Sequence, residues 1–308
     1  MRRTKAQIDD LKIAIRNVCS DLHPMTVRQL FYQLTSLGFI DKTEGEYKNT
    51  VCRLTKQMRL VGELPWEWLS DSSRWMHKPR TYGGISDLLT QSHHAYRRAL
   101  WDPNTNSHYC EVWIEKDALT GVFVGVTGEY DVPLMPCKGY PSLSFQRDAA
   151  RRLSWAITDR LPENDFAPYP EAHVYYFGDF DPSGKDIPRN CEVRMREFLS
   201  ELGGEEFFHF HQVAVNHEQI ELMGLPTRPT KKTDSRSAKF GHTISVELDA
   251  INPGTLRQMT RDCITPHIDD HQLRALQATE EQERALLRQI STFAKRNGEE
   301  ALRERLSV

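Results

Sequence analysis

The sequence predicts an α/β protein in which a helical N-terminal domain precedes a domain built on a mainly parallel sheet. Apolar residues recur at helical spacing near the start of the chain, as at Ile8, Leu11 and Ile15. From His108 the pattern changes to short apolar runs that alternate with amphipathic stretches. This alternation is typical of parallel strands joined by helical crossovers. The 308 residues are enough for about two domains.

Three helices are predicted in the N-terminal domain, over residues 4–20, Val27–Leu37 and Glu44–Val61. Thr26 is the expected N-cap of the second helix, and Gly38 is expected to end it. The short connection to the third helix is typical of a helix-turn-helix or winged-helix module, whose last helix lies in the major groove of DNA. That helix carries candidate contacts to DNA phosphates: Arg53, Lys56 and Arg59. A helical bundle with a solvated basic face is the alternative.

The second domain is predicted to begin with a strand that ends at Glu115. Further strands are expected over Val132–Pro136, before Asp179 and over Phe207–Val215, with helices at about 116–126, 142–160 and 184–201. The predicted domains are 1–101, 108–230 and 231–308, with a linker at 102–107. The last of them is expected to be a polar, largely helical C-terminal extension.

Composition and charge narrow the class of protein. No apolar run approaches the roughly 18 residues that span a bilayer, and six cysteines occur without a CxxC pair. This usage argues against structural zinc and disulfides and favours a reducing cytoplasm. Residues 1–100 hold 16 Lys and Arg against 10 Asp and Glu, whereas the remainder holds 24 against 33. This asymmetry suits a nucleoid-associated protein whose basic N-terminal part contacts DNA and whose acidic C-terminal part binds metal. Ordinary solvated surface has the same charge pattern.

Acidic side chains follow two predicted strands, at the point where each strand ends. Glu115 comes directly after Val112–Ile114, and Asp179 and Asp181 follow Val174–Phe177. Because ligands gather at the carboxyl ends of parallel strands, we expect the three carboxylates to converge, although 64 residues separate the first two. Their mutual repulsion calls for a cation, and hard oxygen ligands suit Mg²⁺, with Mn²⁺ as a substitute. The pattern predicts a metal site for phosphate chemistry.

Two other phosphate motifs fit this stretch less well. In Gly178–Lys185, five residues separate the first glycine from the Gly-Lys pair, and Asp186 stands where a P-loop needs Ser or Thr. We therefore expect no P-loop ATPase in this chain. The Asp-x-Asp pair could be a phosphatase nucleophile of the haloacid-dehalogenase kind, but Glu115 would then have no role.

Five segments resemble a known family. Glu115-Lys116 with Asp179–Gly184 is similar to the TOPRIM fold of topoisomerases, primases and some nucleases, and most similar to the A subunit of DNA topoisomerase VI and to the meiotic double-strand-break transesterase. Cys137–Ser142 resembles the Gly-Lys-Gly-Tyr-Pro stretch after the family glutamate. Asn216–Pro226 resembles the segment after the last strand. Thr26–Tyr32 resembles the motif Thr-x-Arg-Asp-x-Tyr/Phe-Tyr, whose last tyrosine is the nucleophile.

The resemblance covers about residues 20–230 and implies a winged-helix module followed by a TOPRIM domain. It implies that Tyr32 attacks a DNA phosphate and leaves a phosphotyrosine link and a free 3′ hydroxyl, without ATP. Arg28, one helical turn earlier, is placed to assist, and Lys116 and Lys138 are candidate phosphate contacts. The resemblance also implies a homodimer that cuts both strands of double-stranded DNA, in which the tyrosine of one protomer meets the metal site of the other. It implies a separate ATPase subunit for strand passage.

Some features depart from the family pattern. Gln29 replaces an acidic residue, the front domain is short, and the region after 230 does not match, which suggests a compact bacterial or phage-type member. Two other functions stay open. One is a TOPRIM nuclease in which metal-activated water cuts DNA and Tyr32 is structural. The other is a non-catalytic DNA-binding protein with a vestigial TOPRIM domain.

Four further residues are weaker candidates. His209 and His211 alternate along one predicted strand and face one side of the sheet. Without a third ligand at metal spacing, we expect them to be surface or core histidines. Glu247 and Asp249 either add acidic groups to the site or lie on a solvated strand edge.

Overall fold

The computed structural model describes residues 3–70, 79–101, 107–158, 170–230 and 240–306. The chain forms two compact units, Met1–Arg74 with Ser107–Thr265 and Trp75–Asn106 with Pro266–Val308. This division differs from the three consecutive segments expected from the sequence, because the N-terminal helices and the sheet belong to one unit. Of the predicted linker, residues 102–106 lie outside the described residues, as do residues 231–239 of the predicted extension.

The elements are named here in chain order. The helices are α1 (Lys5–Leu22), α2 (Val27–Ser36), α3 (Glu44–Glu46), α4 (Arg53–Leu60), α5 (Ile85–Ala95), α6 (Thr120–Glu129), α7 (Leu143–Thr158), α8 (Pro182–Leu202), α9 (His217–Leu222), α10 (Pro253–Ile264) and α11 (Asp270–Leu306). The strands are β1 (His108–Ile114), β2 (Leu134–Pro136), β3 (Glu171–Phe177), β4 (Phe208–Ala214), β5 (Arg228–Pro229) and β6 (Ile244–Ser245).

The first two helices begin with the same capping arrangement. The Thr4 and Thr26 hydroxyls each accept a hydrogen bond from the backbone N–H three residues later. The side-chain oxygen of the glutamine at that position, Gln7 or Gln29, accepts one from the threonine N–H. These capping boxes satisfy donors that a helix N-terminus otherwise leaves unpaired. Gln29, which departs from the family pattern, therefore serves as the capping partner of Thr26.

The third predicted helix is present in three parts, because a π-helical segment at Tyr47–Cys52 joins α3 to α4. Buried apolar side chains from the three helical regions form a common core, including Ile15, Leu30 and Leu54. Within residues 3–70 the strand pairing is limited to one isolated bridge, Met25 to Leu69. The three helices of the predicted module are thus present, whereas a wing of paired strands is not among the described elements.

The central sheet has four parallel strands in the order β2–β1–β3–β4. Strands β1 and β3 pair in register from His108–Glu171 at the amino end to Ile114–Phe177 at the carboxyl end. The predicted α/β fold is therefore confirmed, and each predicted strand is found within a few residues of its expected bounds. A short antiparallel pair, β5 and β6, lies outside this sheet.

The two faces of the sheet are covered by different helices. On one face, Trp113, Val174 and Tyr176 pack in a buried core with residues of α7 and α8. On the other face, Phe123 of α6 contacts Phe177 edge to face, with ring centroids 5.0 Å apart. This layering leaves the carboxyl ends of β1 and β3 at the edge where loops from several parts of the unit meet.

The second unit consists mainly of α5 and α11, which pack against each other. Tyr96 Oη donates to Glu283 Oε2 at 2.7 Å, and Thr90 Oγ1 lies 2.8 Å from Ser291 Oγ. The helix α11 is interrupted at Gly298, where φ is 80°. Among the described residues of the whole chain, no helix is both long enough and apolar enough to cross a membrane.

Candidate active site

The carboxyl ends of β1 and β3 bring Glu115 next to Asp179, as the sequence predicts. The Glu115 N–H donates to the Phe177 carbonyl at 2.9 Å and continues the strand pairing. The Glu115 Oε2 atom accepts a hydrogen bond from the Asp179 N–H at 2.9 Å. Gly178 makes this approach possible, because a Cβ there would lie 2.8 Å from Glu115 Oε2.

Asp181, the third predicted ligand, caps the N-terminus of α8. Its Oδ1 atom accepts from the Gly184 N–H at 2.8 Å, and Pro182 occupies the first turn, where a missing N–H costs nothing. Arg228 Nη2 approaches Asp181 Oδ2 at 3.5 Å. Asp181 is therefore the N-cap of α8, and the Arg228 guanidinium lies beside its other oxygen.

The Lys116 ammonium group lies among three carboxylates. Its Nζ atom is 3.0 Å from Asp179 Oδ1, 3.5 Å from Glu247 Oε2 and 2.8 Å from Asp249 Oδ2. Asp179 Oδ1 also accepts from the Leu248 N–H at 2.8 Å. Glu247 and Asp249 thus belong to this acidic cluster, which resolves the alternatives that the sequence leaves open for them. Lys116, expected to contact phosphate, instead neutralises the cluster within the protein.

Burial and charge shift the pKa values of the cluster. Burial first and the neighbouring Asp179 second raise the pKa of Glu115 to about 7. Burial also raises the pKa of Asp179 above its ordinary value. Although burial lowers the pKa of Lys116, the carboxylates of Asp249, Asp179 and Glu247 raise it above its ordinary value, so the ammonium stays charged. The site therefore holds more negative charge than its buried surroundings favour.

The donor set fits a hard divalent cation. All of the candidate ligands are carboxylate oxygens, which Mg²⁺ and Mn²⁺ prefer. The buried Tyr176 hydroxyl has no hydrogen-bond partner among the described residues, and it lies close to Glu115: both Tyr176 Oη and Glu115 Oε2 are within about 3 Å of the position of a Cβ on Gly178. No three acidic side chains among the described residues have ligand oxygens all within 4.8 Å of one another, so the expected convergence holds for Glu115 and Asp179 but does not extend to Asp181. Asp179 instead faces Lys116, which supplies the nearest positive charge.

Tyr32, the predicted nucleophile, lies on α2 close to this cluster but is only 3% exposed. Burial first and Glu247 second raise the pKa of Tyr32, whereas Arg28 and Lys116 act in the opposite direction. The Thr26 hydroxyl, which caps α2, donates to Asp249 Oδ1 at 3.3 Å. One hydrogen bond therefore joins the helix that carries the tyrosine to the acidic cluster of the same chain.

The Arg28 guanidinium contacts three side chains. Its guanidinium donates to Glu44 Oε2 at 3.2 Å, approaches Glu247 Oε2 at 4.0 Å and stacks 3.9 Å from the centroid of the Tyr47 ring. The charge of Arg28 lowers the pKa of Tyr32, against the larger effects of burial and Glu247.

Lys42 is a functional candidate that the sequence analysis missed. Its Nζ atom lies 5.3 Å from the Tyr32 ring centroid and donates to the carbonyls of Pro226 and Thr227 at 2.7 and 2.9 Å. Burial lowers the pKa of Lys42 to about 8, so a fraction of this amine is neutral near physiological pH. A single lysine in a loop carries no sequence signal of such a position.

The remaining predicted DNA contacts are separate from the cluster. Arg53 and Lys56 are exposed on α4. Arg59 is committed to backbone, because its Nη2 donates to the carbonyls of Trp66 and Leu69. Lys138, exposed in the loop after β2, pairs with Asp117 at 3.2 Å.

No family model, no curated protein and no solved structure matches this chain.

Proposed function

We propose that this chain is a divalent-metal-dependent, DNA-cleaving transesterase similar to the A subunit of topoisomerase VI, with Tyr32 as its nucleophile. The proposal is carried by the hydrogen bond that joins Glu115 to Asp179 at adjacent strand ends, with Asp181 capping the following helix and Tyr32 close enough to Glu247 and Lys116 for both to shift its pKa. Clustered carboxylates with raised pKa values at strand ends are typical of a catalytic metal site. A homodimer that binds double-stranded DNA, and a separate ATPase subunit, belong to the same proposal.

The reaction requires a metal ion and a tyrosine nucleophile to act on the same DNA phosphate. Glu115, Asp179 and Asp181 would hold the ion, which stabilises negative charge on a phosphate oxygen when it is bound. Tyr32 Oη attacks the phosphorus, the P–O3′ bond breaks, and the phenolic proton passes to a base and then to O3′. Lys42 is the candidate base, since its pKa of about 8 leaves part of it neutral. The charge of Arg28 favours the phenolate.

A covalent-adduct assay tests this proposal. End-labelled duplex DNA is incubated with Mg²⁺ or Mn²⁺, and the reaction is stopped with denaturant. We expect a protein–DNA adduct with the natural chain and none with Tyr32→Phe, because the nucleophile is lost. Tyr47→Phe is the matched control, since both rings contact Phe31 edge to face, at 5.4 Å for Tyr32 and 5.5 Å for Tyr47. This variant should keep the adduct.

One observation favours a second candidate function, a metal-dependent nuclease that uses water. Tyr32 is almost fully buried and its pKa is raised, and both properties oppose nucleophilic attack by the phenol. In that case the same assay yields cleaved DNA without an adduct, and Tyr32→Phe cuts as well as the natural chain. Absence of cleavage with every divalent metal, together with undiminished DNA binding by Glu115→Ala and Asp179→Ala, would contradict both candidates and favour a vestigial site.

A further inference from the structure

We propose that the amino end of the sheet holds a second metal site, built from Glu171, His108 and His173 and suited to a transition-metal ion. This site would be independent of the acidic cluster. The strands β1 and β3 are seven residues long and rise about 3.3 Å per residue, so roughly 20 Å separates their two ends.

One carboxylate oxygen lies among three imidazole rings. Glu171 Oε2 is 3.3 Å from His173 Nε2, 3.8 Å from His108 Nδ1 and 3.7 Å from His209 Nε2. The sequence could not show this group, because its members come from three strands.

The spacing of these atoms resembles that of ligands around an ion. Zinc binds nitrogen and oxygen at about 2.0–2.2 Å with tetrahedral geometry, which places neighbouring ligand atoms about 3.3–3.5 Å apart. The distances from Glu171 Oε2 to His173 and His108, 3.3 and 3.8 Å, are near this range. They exceed the 2.7–3.2 Å or so of ordinary N–H···O hydrogen bonds. A shared coordination position requires Glu171 and His108, whose side chains are partly exposed, to rotate.

The sheet geometry explains why the three residues meet. His108 and Glu171 are partners in the β1–β3 register, and His173 lies two residues after Glu171, hence on the same face. The other nitrogen of the His173 ring, Nδ1, lies 3.4 Å from His211 Nε2, which leaves Nε2 turned towards Glu171. In metal-binding histidines the ring nitrogen that does not bind the metal typically contacts another polar group, because this contact fixes the orientation of the ring.

His209 belongs to the wall of the site. Its ring stacks on His173 at 4.8 Å with an interplanar angle of 15°, so the two rings do not point their nitrogens at one centre. The His173 side chain is 8% exposed, while those of His108 and Glu171 are 34% and 41% exposed. One ligand is therefore anchored in the protein, and an ion can reach the other two from solvent.

The ligand types define the class of ion. Imidazole with one carboxylate suits Zn²⁺, Co²⁺, Ni²⁺ or Cu²⁺, whereas Mg²⁺ prefers an all-oxygen set. An ion here would join the starts of β1 and β3. The inference does not depend on DNA cleavage, so either proposal can fail alone.

Co²⁺ binding tests the inference, followed by its visible absorption and by calorimetry with excess Mg²⁺ present to occupy all-oxygen sites. We expect the full chain to bind one Co²⁺ that Zn²⁺ displaces. Glu171→Gln and His173→Asn should each weaken binding at least about tenfold, the smallest effect expected from a change at or near a metal ligand. Glu171→Gln alters a half-exposed side chain, so the test stands even if the His173 variant does not fold.

The matched control is His217→Asn. His217 Nδ1 lies 3.8 Å from Glu221 Oε1, the same distance as between His108 and Glu171, but this pair lies on the surface of α9. Co²⁺ binding should be unchanged in this variant. The inference is overturned if the natural chain binds no Co²⁺, or if Glu171→Gln and His173→Asn bind it as the natural chain does.

Discussion

The two ends of the central sheet carry different chemistry although the same strands form both. At the carboxyl end, carboxylates gather around Lys116, and the side chains of Asp179 and Asp249 are only 7% and 4% exposed. At the amino end, imidazoles gather around Glu171, which is half-exposed. At the carboxyl end the Lys116 ammonium group lies among the carboxylates, whereas the amino end has the ligand types that an external transition metal would use.

The comparison shows that a buried charged site depends on many segments. The carboxyl end includes strand ends, the N-terminus of α8 and the residues after β6, and α2 is joined to it through Thr26. The cluster at the amino end consists of residues on neighbouring strands that are brought together by the strand pairing alone. We therefore expect substitutions at the carboxyl end to affect stability more than those at the amino end.

The largest effect is expected at Gly184. A methyl group there would overlap the Asp179 carbonyl oxygen, so Gly184→Ala must displace the turn that holds both aspartates. We expect a loss of about 2–4 kcal/mol in the free energy of unfolding, measured by urea denaturation. Gly125→Ala is the control, because a Cβ in that part of α6 meets nothing within 4 Å. Equal stabilities of the two variants would show that the carboxyl end is not tightly packed.

A pH-dependent effect is expected at Glu115. Its pKa is about 7 in the folded protein against an ordinary 4.5, so its contribution to stability is full below pH 4.5 and is lost as the pH rises to 7. Glu115→Gln imitates the protonated form. Without divalent metal, the variant should exceed the natural chain by roughly 1–3 kcal/mol at pH 8 and match it at pH 4.5.

Urea denaturation at the two pH values checks this expectation. Glu201→Gln, which changes an exposed carboxylate paired with Arg147, is the control for the loss of one acidic side chain. A Glu115→Gln variant that is less stable than the natural chain at pH 8 would mean that the carboxylate is stabilised rather than repelled by its surroundings.

The smallest effect concerns the link between α2 and the acidic cluster. Thr26→Ala removes both an N-cap and the hydrogen bond to Asp249, at a cost of about 1–2 kcal/mol. Thr4→Ala removes the same capping box from α1, where the described residues show no carboxylate partner for the threonine, and should cost about 0.5–1 kcal/mol. Urea denaturation of both variants measures the difference. Equal costs would indicate that the bond to Asp249 contributes nothing.

Much of the fold could be predicted because its signals are local. Apolar periodicity placed the helices and strands, and Thr26 was recognisable as a cap. The convergence of Glu115 and Asp179 followed from the rule for parallel strand ends. A paired-strand wing in the N-terminal region had no comparable local signal, and it is not among the described elements.

The sequence by itself determined the parallel sheet and the placement of Glu115, Asp179 and Asp181 after its strands. The reason is that the apolar runs that form strands, and the residues that follow them, are adjacent in the chain. Only the tertiary structure decided the electrostatics. The approach of Lys116 to Asp249, of Lys42 to Tyr32 and of Glu171 to the histidines joins residues that are distant in the chain. Burial then sets their charges, and burial depends on every segment packed around the site.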